Sequence, residues 1–285
     1  MNRASLSVVV PAYNEENYIG ECLATLARNR EWIDEVVVVD NNSTDRTRDI
    51  AMRFADRFDK FVVIDEPVAG VVHARNAGFA TSTSDIIARV DADTLVGESW
   101  ARAIHEFFER EPEYDAVTGV SYLYESPASG LKRKISDGVS RRWRARGTRP
   151  VVMLSGANMA VRRRAWLAVH DSTDTSKDVH EDVDLSLCLL KGGFRLGQSA
   201  HMCLLVSGRR GNSSVKDYLQ YTQATKRTFL RHGYDYLGLR LLLVANILVH
   251  VGFLPLYRAH AYVSRSQGHR KRSRALPIGE RHPIS

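Results

Sequence analysis

The sequence predicts an α/β fold with a mostly parallel central sheet flanked by helices and a C-terminal apolar helical appendage. Three observations carry this. Apolar runs of four or five residues alternate with amphipathic helical segments over the first 120 residues. The runs are apolar at consecutive positions, the pattern of strands covered on both faces. A further apolar stretch, Leu237 to Tyr257, follows after this alternation has stopped.

Leu6 to Val10 is the first strand, followed by a helix that Asn14 can cap and whose Tyr18, Cys22 and Leu26 recur on one face. Val36 to Val39 is the second strand and ends at Asp40. Ser43 or Thr44 can cap the next helix, with Ile50, Phe54 and Phe58 turned inward. Phe61 to Ile64 is a strand, Gly70 to Ala80 a small-residue helix, and Ile86 to Val90 the fourth strand. Trp100, Ile104, Phe107 and Phe108 mark a helix, and Ala116 to Tyr122 a strand. Val151 to Leu154 is apolar and precedes a tight turn, Ser155-Gly156-Ala157-Asn158. Met159 to Val161 leads through three arginines to a helix containing Trp166. His180 to Leu185 opens an amphipathic helix that Gly192-Gly193 ends, and Phe194 to Leu196 and Met202 to Val206 read as two short strands.

The uncharged part of the last apolar stretch, Leu241 to Leu256, has 16 residues. As a helix it covers about 24 Å, short of the ~30 Å hydrocarbon core of a bilayer. Pro255, Asn246 and His250 also interrupt it. A helix lying in a membrane interface fits this pattern, and so does one packed on protein. The predicted organisation is a domain over residues 1–212, a helical and possibly membrane-associated region over 213–263, and a basic tail over 264–285.

Composition is that of a globular chain, 44% hydrophobic and 26% charged. Three distant cysteines, Cys22, Cys188 and Cys203, form no C-x-x-C pair and read as buried thiols of a reducing compartment. The N-terminal apolar run stops at Pro11, too short for a secretory signal, so the expectation is a cytoplasmic chain. The net charge of +7 is concentrated. Eight Lys or Arg residues lie between Lys132 and Arg149, and seven between Arg258 and Arg281. Such stretches suit an anionic membrane surface, a phosphorylated substrate or a solvated face. No recognised nucleic-acid module accompanies them, so no nucleic-acid partner is expected.

In a parallel sheet, ligands bind at the carboxyl ends of the strands. Pro11 to Glu15, Asp40 to Asn42 and Asp91-Ala92-Asp93 all fall there. The first turn has no G-x-G-x-x-G and the chain has no Walker A motif, so no glycine-rich loop cradles a phosphate. Carboxylates two residues apart, as in Asp91 and Asp93, suit a hard divalent cation shared with substrate phosphates, and the same tripeptide also suits a solvated turn. Asp40 can accept a hydrogen bond from a base imide or cap a helix, and Tyr13 can pack on the same base.

Val8-Val9-Val10-Pro11-Ala12-Tyr13-Asn14-Glu15-Glu16, Val38-Val39-Asp40-Asn41-Asn42-Ser43-Thr44-Asp45, Ala74-Arg75-Asn76-Ala77-Gly78, Asp91-Ala92-Asp93 and His180-Glu181-Asp182 occur in this order. Over roughly residues 5 to 210 the chain resembles a family 2 glycosyltransferase of the GT-A fold. The resemblance implies a nucleoside-diphosphate sugar donor, a divalent metal (manganese or magnesium) and inversion at the anomeric carbon. It places Pro11, Tyr13 and Glu15 around the nucleoside, Asp40 on the base and Arg75 in the motif that helps hold the donor. It puts Asp91 near the ribose or metal and Asp93 on the metal, and Asn158 in the turn that approaches donor sugar and acceptor. Asp182, with Glu181 beside it, would deprotonate the acceptor hydroxyl. His201 is a candidate third metal ligand, and Arg209 and Arg210 are candidates for gripping the pyrophosphate. Asp40-Asn41-Asn42 departs from the Asp-Asp-Gly frequent in the family, which leaves the base undefined.

The resulting expectation is an inverting, metal-dependent transferase, peripheral at the inner face of the cell membrane. Its acceptor would be lipid-linked or a cell-surface glycan precursor, as in polysaccharide biosynthesis. A soluble transferase acting on a small molecule and a non-catalytic sugar-nucleotide-binding scaffold are the alternatives.

Overall fold

The computed structural model describes residues 3–124, 147–176, 178–235 and 237–266, leaving aside the side chains of 212 and 260–266. Most of the basic stretch from Lys132 to Arg149, and the tail beyond 266, lie outside the described residues.

The nine strands of the sheet are β1 (Leu6–Ala12), β2 (Glu35–Asp40), β3 (Phe61–Asp65), β4 (Ile86–Arg89), β5 (Thr94–Val96), β6 (Ala116–Tyr124), β7 (Thr148–Pro150), β8 (Met159–Arg162) and β9 (Leu196–Ser207). They lie in the order β3-β2-β1-β4-β8-β6-β9-β5, with β7 on the flank of β9. β1 to β4 are mutually parallel. β8 is antiparallel to both β4 and β6, and β6 and β9 are parallel, so six strands share one direction and β5, β7 and β8 oppose it. Antiparallel β8 and β5 therefore begin at the edge where β1, β2 and β4 end. Arg89 pairs with Met159, and Thr94 with Val206. Five connections meet along that edge: those after β1, β2, β4 and β9, and the turn entering β8.

The continuous apolar runs are explained by burial on both faces. Leu6, Val8, Val10, Val36 and Val38 face one layer, formed by α1 (Ile19–Ala27) and α4 (Trp100–Arg110). Val9, Val37 and Val39 face the other, which holds α3 (Val71–Thr81), α5 (Arg163–Val169) and α6 (Glu181–Lys191). A third cluster joins Val183 and Leu187 of α6 to Phe229 of α7 (Val215–Arg231) and to Leu239 and Leu243 of α8 (Leu237–Ser266).

Several local expectations change. Asn14 does not cap α1, whose N-cap is Tyr18 with no side-chain cap bond. Instead Asn14 adopts φ 52° and its side-chain oxygen accepts the Thr44 N–H at 2.8 Å, while Ser43 Oγ accepts the Asn14 N–H. The loops after β1 and β2 are thus locked together, which takes Ser43 and Thr44 away from α2 (Thr47–Met52). Asp45 supplies the acceptor there, at 2.9 Å from the Thr47 N–H. The two strands expected over 194–206 form one long β9, interrupted by a register shift opposite Thr118 and Val120. Val151 to Leu154 makes no strand, and Val152 and Met153 are exposed.

Candidate active site

Arg89, the last residue of β4, organises the strand edge. Its side chain is 3% exposed. Nη2 lies 2.9 Å from Asp91 Oδ1 and Nη1 lies 2.5 Å from Glu181 Oε1. A charge buried this deeply needs partners of opposite sign. Those partners draw the loop after β4 and the start of α6 together, across 90 residues of sequence. Gly156 completes the arrangement, because a Cβ there would stand 2.9 Å from Arg89 Nη1.

The absence of a side chain at Gly156 also lets its backbone N–H reach Asp182 Oδ2 at 3.0 Å. Asp182 Oδ1 accepts the Val183 N–H at 2.8 Å and faces His180 Nδ1 at 3.3 Å. Burial alone would raise the Asp182 pKa. The His180 contact, the Gly156 N–H and the Arg89 charge outweigh it and hold the carboxyl below the usual carboxylate range. The adjacent carboxylate, Glu181, is committed to Arg89. His180 is fixed in turn by Thr228 Oγ1, which accepts its backbone N–H at 2.9 Å, and by Tyr221, whose ring meets it edge-on at 4.2 Å.

On the other side of the loop, Asp93 and Glu15 both bind Arg209. The Arg209 Nε lies 2.9 Å from Asp93 Oδ2, its two terminal nitrogens hold Glu15, and its guanidinium carbon sits 4.8 Å over the Tyr18 ring. Burial pushes the Asp93 pKa up to about 6, and Asp91 and Glu15 add to this while Arg209 opposes it. Asp93 and Glu15 thus share Arg209, while Asp91 of the same loop is held by Arg89. This donor set of hard oxygens fits a divalent cation.

The remaining candidate residues are placed as follows. Pro11, the residue before the last of β1, pairs with Val39, and Tyr13 is 60% exposed at the rim. Asp40 is buried, with Oδ1 accepting the Ser43 N–H at 3.1 Å. Next to it the Asn41 amide donates to the Glu66 and Val68 carbonyls and accepts the Gly70 N–H, which ties the β2 end to the start of α3. Arg75 is fully buried beneath α6, where its Nη1 donates to the Glu181 carbonyl at 2.6 Å and its guanidinium stacks over Trp166. Burial lowers its pKa to about 10. The structure does not bring Arg75 to the open side of the edge. Asn158 is also fully buried, between Trp100 Nε1 and the Met202 carbonyl. His201 lies in the irregular part of β9 facing Gly147, whereas β9 meets Thr94, the neighbour of Asp93, only at Val206. It does not join the carboxylates. Arg210 lies over the Tyr221 ring at 4.7 Å, and its charge also acts on Asp93.

Arg89, Tyr18 and Tyr221 are site residues that the motif reading passes over, and His180 stands in a quoted motif without a role assigned to it. Arg89 left one signal, a charge within the apolar run Ile86-Ile87-Ala88-Arg89-Val90 that demands a buried carboxylate.

A family model described as glycosyl transferase family 2 matches residues 7–167, more than half of the chain. Among curated relatives, the probable glycosyltransferase YdaM of Bacillus subtilis is 29% identical over 202 residues, 67% of this chain and 48% of that protein. Validoxylamine A glucosyltransferase of Streptomyces hygroscopicus subsp. jinggangensis is 32% identical over 123 residues, 42% of this chain and 29% of that protein. The chain thus spans about half or less of the length of these relatives. Among solved structures, the mannosyltransferase PcManGT of Pyrobaculum calidifontis, in complex with GDP-Man and Mn2+, superposes with a TM-score of 0.62. It shares 22% identity over 98% of this chain and 78% of its own. Residues 1–349 of TarS from S. aureus, in complex with UDP, give a TM-score of 0.55 at 18% identity, over 86% of this chain and 70% of theirs. The fold is therefore of the GT-A kind.

Proposed function

The chain belongs to glycosyl transferase family 2, and on that premise we propose that it transfers a sugar from a nucleoside-diphosphate sugar to an acceptor hydroxyl, with inversion. The observation that carries this reading is the Asp91–Arg89–Glu181 bridge, which sets a donor-side carboxylate loop and the Asp182 carboxylate on one strand edge. That structural neighbours were solved with GDP-Man and Mn2+ or with UDP supports a nucleotide-sugar donor.

In this reading Pro11, Tyr13 and Asp40 receive the nucleoside, and Arg209 lies on the diphosphate side. Asp93 and Asp91 would hold manganese or magnesium. A cation bound there neutralises charge on the leaving diphosphate. Asp182 accepts the acceptor proton as the acceptor oxygen bonds to the anomeric carbon. The bond from that carbon to the diphosphate oxygen breaks, and the nucleoside diphosphate leaves with the electron pair. Glu181, neutralised by Arg89, fixes the start of α6 and is not the base.

Residues 1–212 form the catalytic domain in this account, and 213–263 face a membrane at the inner side of the cell. Leu237–Ala259 of α8 is long and apolar enough to cross a bilayer. Leu239, Leu243, Leu254 and Tyr257 face the protein, while Leu237, Leu241, Leu242, Val244, Leu248 and Val249 are 53–70% exposed. That wide apolar face favours a lipid-linked acceptor over a small soluble one.

The test is calorimetric titration with UDP, GDP, TDP and CDP, each with manganese, magnesium or EDTA, on wild type and Asp93→Ala. Metal-dependent binding of one nucleotide, lost in the variant, is the expected result. No binding under any condition refutes the donor site.

A further inference from the structure

Away from the strand edge, a carboxylate, a thiol and an imidazole converge where α6 packs on α7. Asp184 and Cys188 stand four residues apart on α6 and share one of its faces. His232 stands at the C-terminal end of α7. One ligand atom from each of the three residues lies within 4.8 Å of the other two. Asp184 and Cys188 are buried, and the His232 side chain is 11% exposed. Nε2 of His232 lies 2.8 Å from Asp184 Oδ1, and Oδ2 of Asp184 accepts the Asp174 N–H at 2.8 Å. The Cys188 thiol donates to the Ser172 carbonyl at 3.3 Å. Nδ1 of His232 is buried and has no hydrogen-bond partner among the described residues.

A carboxylate–imidazole pair by itself explains neither the thiol at its side nor the unpaired ring nitrogen. A buried polar atom without a partner is destabilising. It also leaves the ring anchored at one end only, so the imidazole can turn onto a metal. Thiolate, imidazole and carboxylate are the ligand types that zinc takes. Manganese and magnesium prefer oxygen alone, which is what Asp91 and Asp93 offer. The two groups of residues therefore suit different metals. Cys188 forms no disulfide, so its sulfur is available as a ligand.

We propose that Asp184, Cys188 and His232 bind a zinc ion that joins α6 to the end of α7. Binding releases the Cys188 thiol proton to solvent. Thiolate, neutral imidazole and carboxylate then surround the ion, and water takes the fourth tetrahedral position. Both helices joined in this way also support the strand edge. Asp182 lies in the first turn of α6, and Thr228 of α7 accepts the His180 N–H. Zinc here is a clamp behind Asp182 and takes no part in sugar transfer, so the inference stands independently of the proposed reaction.

The experiment is titration of the full chain, in detergent and stripped with EDTA under reducing conditions, first with cobalt(II) and then with zinc. Cobalt should produce a thiolate-to-metal charge-transfer absorption that saturates at one equivalent, and zinc should displace it. Cys188→Ser, with its fold checked by circular dichroism, should abolish the absorption. His232→Gln should weaken zinc by at least the ~10–100-fold that loss of an outer-shell partner alone costs. Zinc should raise the Tm of wild type and raise that of His232→Gln far less. Cys203→Ser and Asp93→Ala should keep the absorption, which separates this site from the strand edge. Wild type without a thiolate band overturns the proposal, as does a band that survives in Cys188→Ser. A band lost in Asp93→Ala, or an equal rise in Tm in wild type and His232→Gln, overturns it too.

Discussion

Arg89 Nη1 and Glu181 Oε1 meet at 2.5 Å inside the protein, joining the end of a central strand to the helix that carries Asp182. The second arm of the same guanidinium holds Asp91. Arg89→Met leaves two carboxylates without their counter-charge, and breaking a buried pair from one side costs about 3–5 kcal/mol. The expected outcome in urea unfolding is a loss of that size, with transfer activity falling further than stability alone accounts for. Arg89→Lys restores the charge without the fork and should recover only part of either. A variant as stable and active as wild type would refute the bridging role.

Gly156→Ala tests the same junction from its other side. The added methyl would meet Arg89 Nη1 at 2.9 Å and Cζ at 3.1 Å. Overpacking of this kind costs about 1–3 kcal/mol. It should also disturb the N–H that holds Asp182, so kcat should drop while nucleotide affinity stays near that of wild type. An equal loss in both would place Gly156 in the donor site instead.

The pH dependence of stability follows from Asp182. Its native pKa is depressed by the His180 contact, the Gly156 N–H and the Arg89 charge, which overcome the opposing effect of burial. The unfolded value is about 3.9. The carboxylate therefore contributes its full stability above that value and loses it as pH falls through the native one. The urea midpoint of wild type minus that of Asp182→Asn should be constant from about pH 5 to 8 and shrink below about pH 4. A difference that grows on acidification would mean that Asp182 is raised, not lowered.

α8 predicts membrane binding. The protein should sediment with phosphatidylglycerol vesicles, and salt should weaken this only in part, because screening acts on the charges and leaves apolar burial intact. Replacing both Leu241 and Leu248, which are 61% and 67% exposed, with Glu should abolish sedimentation without altering nucleotide affinity. Wild type that stays in the supernatant while self-associating would assign the apolar face to a second copy of the chain.

The strands were legible because burial on both faces writes a continuous apolar run. Val36 to Val39 and Ile86 to Val90 show this, and the motif residues follow directly at the strand ends. What was not legible depends on partners distant in sequence. Arg75 sits in a donor-site motif, yet it lies under α6 because the Glu181 carbonyl and Trp166 claim it. Asn14, Ser43 and Thr44 read as helix caps, and two loops used them to bind each other. β9 looked like two strands because the polar break after Leu196 runs into the stretch between Gln198 and Cys203 where the register shifts. The different ring partners of Arg209 and Arg210, Tyr18 and Tyr221, depend on a 3₁₀ turn that no periodicity announces.

The central claim is that Asp182 deprotonates the acceptor while the Asp91–Asp93 side holds the donor. Its most direct test is the single-turnover transfer rate of Asp182→Asn alongside its affinity for the donor nucleotide. The account predicts a rate reduced by about 10²–10⁴-fold, the usual contribution of a positioned base, with donor affinity unchanged. A wild-type rate in Asp182→Asn would contradict it.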